Sequence, residues 1–273
     1  MASVFSFTIY RKGLKRALPG LVIWLMISAA LLALALLFFP TLVQSGLHET
    51  VTEAVGAFPE DLLETFGLSQ LPDFTDYTYY LTWVLQIVFL IGCLYAAWLG
   101  AVSMVKLESD DTLLMIYAQP VWRCGIVISR LLCRATLLLI YQAVLFFLTQ
   151  SLGGELVMDP SFGGGLLRVF ASFYLVELLY LCIGALLSLF LGHVSHAAAA
   201  AFGLLLITVL FGIASMAVPG MSWMGLLSPY GAFPVSTLLV SQGEAVVYWV
   251  LAACCLFFST LVCVRFHFKD MNV

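Results

Sequence analysis

Six stretches of this chain hold about 20 or more residues that are mostly apolar, and clusters of polar and charged residues separate them. They run Leu18–Phe39, Tyr79–Val105, Ile126–Leu148, Leu166–Leu191, Ala197–Val218 and Ala245–Val264. A helix of about 20 apolar residues crosses the hydrocarbon core of a bilayer. The pattern predicts an all-α, polytopic membrane protein with six transmembrane helices, forming a single transmembrane domain over residues 1–273. The first stretch is too long for the apolar core of a signal peptide, roughly 7–15 residues, and no small-residue cleavage site follows it. It is read as a membrane anchor. The sequence shows neither a repeat of fixed period nor the inverted symmetry of many secondary transporters.

Composition strengthens this picture. Of 273 residues, 63% are apolar and 10% charged, and the mean hydropathy is +1.09. A soluble domain is roughly 45–50% apolar and about 25% charged. A soluble enzyme could not hide this much apolar surface, and a disordered chain needs the opposite composition. The net charge is −4 and the few Lys and Arg are scattered, so no basic stripe is available for nucleic acid. Seven cysteines, none in a C-x-x-C pair, fall mostly inside apolar runs. They read as buried small hydrophobes rather than as a disulfide framework or zinc site.

Charge sets the expected sidedness, because Lys and Arg concentrate in cytoplasmic links. Arg11, Lys12, Lys15 and Arg16 precede the first span, Lys106, Arg123, Arg130 and Arg134 surround the second link, and Arg265 and Lys269 follow the last span. The link after span one has no basic residue but carries Glu49, Glu53, Glu60, Asp61, Glu64, Asp73 and Asp76. Both termini are therefore expected in the cytoplasm, with residues 40–78 outside. Spans four and five are joined on the inside by the short hairpin link Gly192–His196.

Three segments outside the spans have helical patterns. Residues 4–16 place Val4, Phe7 and Leu14 on one side and Arg11, Lys12 and Lys15 elsewhere, which predicts an interfacial helix on the inner leaflet. In the outer segment, Pro59, Glu60 and Asp61 suit a helix start, Leu62, Leu63 and Phe66 follow at helical spacing, and Gly67 suits its stop. In the link between spans two and three, Ser109 or Asp110 can cap a helix whose first turn holds Asp111. Leu113, Ile116 and Tyr117 form its apolar stripe, and Pro120 stops it near Ala118. This predicts a short cytoplasmic helix over residues 108–118 whose apolar face must dock on lipid or on a soluble partner.

That last stretch resembles the first cytoplasmic link of ABC-2 transporter permeases, which carries a leading Glu and then reads G-T-L-E-x-L-L-x-x-P-V-S-R. Glu108, Thr112, Leu113, Ile116, Pro120, Val121 and Arg123 carry the resemblance. Asp111 stands where Gly is usual, Leu114 where Glu is common and Trp122 where Ser is common. The basic N-terminal helix and the six-span layout agree with the family. So does the segment 219–234, with Leu227-Ser228-Pro229-Tyr230, where the family forms short helices dipping into the outer half of the membrane.

The resemblance implies a mechanism. Two permease subunits pair, as a homodimer or heterodimer, and each contacts a cytoplasmic ABC ATPase subunit. Residues 108–118 would be the coupling helix, with Glu108, Asp111, Thr112, Leu113, Ile116, Tyr117, Pro120 and Arg123 as the ATPase-coupling set. The chain has no G-x-x-x-x-G-K-[ST] phosphate loop, so it is expected to be a non-catalytic transport subunit that binds no cofactor. ATP and Mg would sit on the partner. The family also implies outward transport and a bacterial plasma membrane. Aromatic- and Leu-rich spans favour a hydrophobic or amphipathic cargo such as a drug, a lipid or an antimicrobial peptide.

Inside the spans, Glu177 stands out. A carboxylate at mid-bilayer costs roughly 2.5–3.5 kcal/mol on insertion scales, so it must face the bundle, take up a proton or find a partner. Gln86 and Gln142 are the candidate partners. Either Glu177 is a gating or pathway residue or it makes a structural hydrogen bond. Gly92, Ala96 and Gly100, and likewise Gly184, Ser188 and Gly192, recur every four residues and predict close helix packing. Arg130 and Arg134 share a helix face and either anchor at the surface or pair with Glu108 or the ATPase. His193 and His196 form too small a set for a metal and read as a solvated turn.

Two other function classes compete. A proton-coupled secondary transporter would use Glu177 as its relay. An intramembrane Ser–His hydrolase needs both groups at one depth, which Ser215 and the histidines do not satisfy.

Overall fold

In the computed structural model the described residues are 7–44, 53, 57, 76–109, 123–153, 162–217, 222–233, 235–240 and 245–268. They are helical almost throughout, and no strand occurs among them. Seven α-helices are described: α1 (Phe7–Gln44), α2 (Tyr77–Ser109), α3 (Arg123–Gly153), α4 (Phe162–Ser188), α5 (Ala197–Ala217), the short α6 (Val235–Val240) and α7 (Ala245–Phe268). All except α6 are long and apolar enough to cross a membrane, as the hydropathy pattern predicts.

The helices overrun most of the apolar stretches that announce them, because backbone hydrogen bonding continues into the interfacial residues at either end. Asp76 starts α2 as an N-cap, its Oδ1 accepting from the Thr78 N–H at 2.9 Å. The largest difference from expectation is at the N-terminus. Residues 7–16 do not form a helix separate from span one; they are the first turns of α1, which runs unbroken past Pro19. Proline removes one backbone hydrogen bond, but α1 keeps helical geometry on both sides of it. The outer pattern at residues 59–67 lies outside the described residues. In the family-implied segment 219–234, short 3-10 helices cover Ser222–Leu227 and Pro229–Ala232.

Two helices form the centre. In their most apolar stretches α2 is 72% and α4 67% buried, whereas α7 is 11%. The α2–α4 contact is the most extensive in the molecule, α1 packs chiefly on α3, α5 on α2, and α7 on α4 and α3. The outer faces of α1, α5 and α7 expose large apolar side chains such as Met26, Leu34, Phe202, Leu210, Trp249 and Leu256. Faces of this composition suit lipid tails or the apolar surface of a partner helix.

Small residues set the central spacing. A Cβ on Gly100 would lie 2.8 Å from the Ala185 nitrogen and 2.9 Å from the Gly184 carbonyl carbon, and it would also strike the Leu181 carbonyl oxygen. On the other side, Gly184 faces the Ala97 carbonyl. The predicted seam is thus real at Gly100 and Gly184, where backbone meets backbone. It ends before Gly192, which has open space where a Cβ would go because α4 has already stopped at Ser188.

Tyrosine hydroxyls stitch the bundle together. Tyr80 donates to the Ala35 carbonyl at 2.7 Å, joining α2 to α1. Tyr174 donates to the Ala135 carbonyl at 3.2 Å, joining α4 to α3. Tyr180 pairs with Thr208 at 2.8 Å and Tyr248 with Ser172 at 2.7 Å, tying α5 and α7 to α4. Interhelical bonds of this kind contribute roughly 0.6 kcal/mol each in a membrane bundle.

Candidate functional site

The polar centre of the bundle forms where α1, α2, α3 and α4 meet. Glu177 of α4 is fully buried, 0% exposed, and Gln142 of α3 is 4% exposed. The Gln142 Nε2 donates to Glu177 Oε1 at 2.7 Å. Among the described residues, neither Glu177 Oε2 nor Gln142 Oε1 has a hydrogen-bond partner. A carboxyl surrounded by hydrocarbon needs such a donor, because an unsatisfied buried polar group costs several times what a hydrogen bond contributes.

Space for that carboxyl comes from Gly92 of α2. A Cβ at residue 92 would collide with Glu177 Oε1 and come within 3.3 Å of the Tyr141 ring. Gly92 therefore acts here less as a helix-packing residue than as the recess that holds the Glu177 head. Tyr141 is itself fixed, its hydroxyl pairing with Ser28 of α1 at 2.6 Å. Four helices thus contribute to one buried polar cluster: Ser28, Gly92, Tyr141 with Gln142, and Glu177.

Of the two glutamines proposed as partners for Glu177, only Gln142 takes that role. Gln86 lies six residues before Gly92 on α2, about 9 Å along the axis at about 1.5 Å per residue, and so sits at another depth. It contributes its backbone carbonyl, which accepts from the Tyr230 hydroxyl at 2.7 Å. That bond fastens the Pro229–Ala232 turn to α2, where the Tyr230 ring also packs edge-on against Phe173 at 6.2 Å. Gly92, Tyr141, Ser28 and Tyr230 were not among the sequence-derived site residues. The Gly92 signal was visible but indistinguishable from packing, and the pairing of Tyr230 with a backbone carbonyl leaves no mark in a sequence.

Of the coupling set, Glu108 falls in the last turn of α2 and Arg123 at the first residue of α3. Asp111, Thr112, Leu113, Ile116, Tyr117 and Pro120 lie outside the described residues. Arg130 donates from Nη1 to the Ser103 carbonyl at 2.6 Å, clamping the start of α3 to the end of α2. His193 and His196 are exposed in the turn that leads into α5, and no group of three or more metal-ligating side chains occurs among the described residues.

Six apolar helices around a buried polar centre define a multi-pass helical membrane protein. A family model described as ABC-2 family transporter protein matches residues 7–271, so the chain belongs to the ABC-2 transporter family. No curated protein matches it.

Proposed function

We propose that this chain is the membrane-spanning permease subunit of an ATP-driven ABC-2 exporter in a bacterial plasma membrane, with both termini in the cytoplasm. The carrying observation is the family match, which extends over residues 7–271 of a six-span chain. A separate cytoplasmic ABC ATPase subunit supplies hydrolysis, with ATP and Mg bound there, since this sequence has no phosphate loop. A second permease subunit, identical or different, completes the pathway. Residues 108–118 seat on the ATPase through Leu113, Ile116 and Tyr117, flanked by Glu108, Asp111, Thr112, Pro120 and Arg123. The cargo moved outward is hydrophobic or amphipathic: a drug, a lipid or an antimicrobial peptide.

The competing proton-driven carrier requires Glu177 to relay protons. The bond from Gln142 and the recess at Gly92 favour a structural role instead, with Glu177 holding α4 to α3 and α2.

The test is expression of the chain with its genomic neighbours, purification in mild detergent and identification of every stoichiometric subunit. A co-purifying ATPase with a phosphate loop, lost in the Leu113→Asp/Tyr117→Asp variant while the chain stays folded, is the expected result. Transport by the chain in the absence of any ATPase refutes the proposal.

A further inference from the structure

The seven cysteines are free thiols, and the fold brings four of them together in pairs along α7. The Cys263 thiol of α7 is hydrogen-bonded to that of Cys124, the second residue of α3. Eight residues earlier on α7, the Cys255 thiol is hydrogen-bonded to that of Cys182 in α4. It also reaches the Leu175 carbonyl at 3.9 Å. Two sulfurs within hydrogen-bond reach have Cβ–Sγ bonds that converge, and convergence is the first geometric demand of a disulfide. The two pairs differ in depth. Cys124 stands one residue inside the start of α3, and both it and Cys263 keep part of their surface exposed. Cys263 packs on the cluster of Met104, Ile126, Val127, Val262 and Phe266, which fixes the end of α7 against the start of α3. Cys255 lies about 12 Å deeper along α7, at about 1.5 Å per residue, and its partner Cys182 is buried.

We propose that Cys124 and Cys263 are an oxidation site, closed into a reversible disulfide by a hydroperoxide at the membrane surface, and that this bond pins α7 to α3. One of the two thiols gives up its proton, and its sulfur attacks an oxygen of hydrogen peroxide. The O–O bond breaks, the departing hydroxide takes that proton as water, and a sulfenic acid remains. The second sulfur then attacks the sulfenic sulfur. The S–O bond breaks, the S–S bond forms, and the second thiol's proton leaves with the hydroxide as another water. Two thiols lose two electrons and two protons, and the peroxide becomes two waters. Each step passes through a thiolate and releases water, so it favours the pair at the membrane edge. The Cys182–Cys255 pair is as close but sits in hydrocarbon, where a thiol is inert. Disulfides in a reducing compartment are transient and sensing rather than structural, and an exposed one is readily reduced by cellular thiols. The restraint falls where it has most to hold, because α7 is only 11% buried in its most apolar stretch. The inference is independent of the transport proposal, because it concerns the chemistry of the folded chain.

The test uses the full chain, with any subunits that co-purify, in an uncharged detergent. The protein is reduced, freed of reductant and treated with stoichiometric hydrogen peroxide. It is then denatured, its remaining thiols are blocked with N-ethylmaleimide, and an unreduced digest is read by mass spectrometry. We expect one linked pair of peptides containing Cys124 and Cys263, the loss of two blockable thiols out of seven, and recovery of both on adding a dithiol reductant. Cys182 and Cys255 stay blockable. In Cys124→Ser or Cys263→Ser the link is lost, and in one of the two variants the surviving thiol accumulates as sulfenic acid, which dimedone traps. The oxidised parent melts at a higher midpoint than the reduced parent, and neither Ser variant shows that shift. Cys124 and Cys263 both remaining blockable overturns the proposal, as does linkage of Cys182 to Cys255 in their place or a bond between two chains on a non-reducing gel. A linked chain whose midpoint does not rise overturns the pinning of α7. If the Ser variants fail to fold, the linked peptides and the melting shift of the unmodified chain still decide.

Discussion

Replacing Gly100 by Ala tests whether the α2–α4 seam is the structural centre of this protein. The added methyl would lie 2.8 Å from the Ala185 nitrogen and 2.9 Å from the Gly184 carbon, whereas ordinary contact begins at 3.4 Å. These atoms are backbone, so no rotamer change relieves the clash, and the helices must separate by about half an ångström or more. A gap of about 0.5–1 Å forfeits roughly a quarter to a half of each dispersion contact, each worth about 0.1–0.2 kcal/mol. Spread over a long interface, that loss falls in the range of about 1–3 kcal/mol typical of overpacking. Alanine recovers up to about 1 kcal/mol in helix propensity, which leaves a net loss of up to about 2 kcal/mol relative to the parent, and of about 1–3 kcal/mol relative to a Gly→Ala change without a clash. Gly203 on α5 has open space at its Cβ position and is the control: there Ala gains propensity with no clash. Heating each variant in detergent and measuring the monodisperse fraction by size exclusion gives the comparison. A Gly100→Ala midpoint equal to or above that of Gly203→Ala would refute the backbone-contact argument.

Other perturbations probe the polar cluster and the outer turn. Gln142→Leu leaves Glu177 Oε1 without its donor and is expected to lower stability by about 1–3 kcal/mol, read as a drop in thermal midpoint. Glu177→Gln preserves an acceptor for Gln142, so stability should fall less than in Gln142→Leu and transport should persist; transport abolished at full stability would favour the proton relay. Tyr230→Phe removes the bond to the Gln86 carbonyl and should cost about 0.5–1.5 kcal/mol, with faster proteolysis around residues 222–233 as the local readout. Gly92→Ala forces the Glu177 head out of its recess and should destabilise more than Tyr230→Phe in the same thermal assay.

The six spans were legible because crossing a bilayer demands a long uninterrupted apolar run, a constraint that acts locally and survives any tertiary arrangement. The glycine pattern was legible for a related reason: residues four apart share a helix face, so a stripe of small residues announces close contact. Its extent was not, since only the fold shows that Gly100 meets Gly184 while Gly192 lies beyond the end of α4. The choice between Gln86 and Gln142 turned on depth across different helices, which composition does not encode. The separate N-terminal helix was expected from the amphipathic pattern of residues 4–16, but backbone hydrogen bonding takes no account of which side chains are apolar or basic, and α1 continues unbroken from Phe7 into the span. The cysteines were read from sequence as buried small hydrophobes; that four of them meet in pairs depends on how α7 lies against α3 and α4.

The seam between α2 and α4 also bears on movement. Two helices interlocked through glycine backbones resist sliding past each other, because a shift of one turn would bring the side chain of Met104 or Ser188, four residues along each stripe, to the point of closest approach. They therefore travel as one rigid body. Any cycle that opens a path across this molecule must hinge or tilt the peripheral helices, α5 and α7 foremost, around that stiff spine. Pairs of spin labels on α2 and α4 should thus keep one distance throughout such a cycle, and pairs from α2 to α5 or α7 should report the motion.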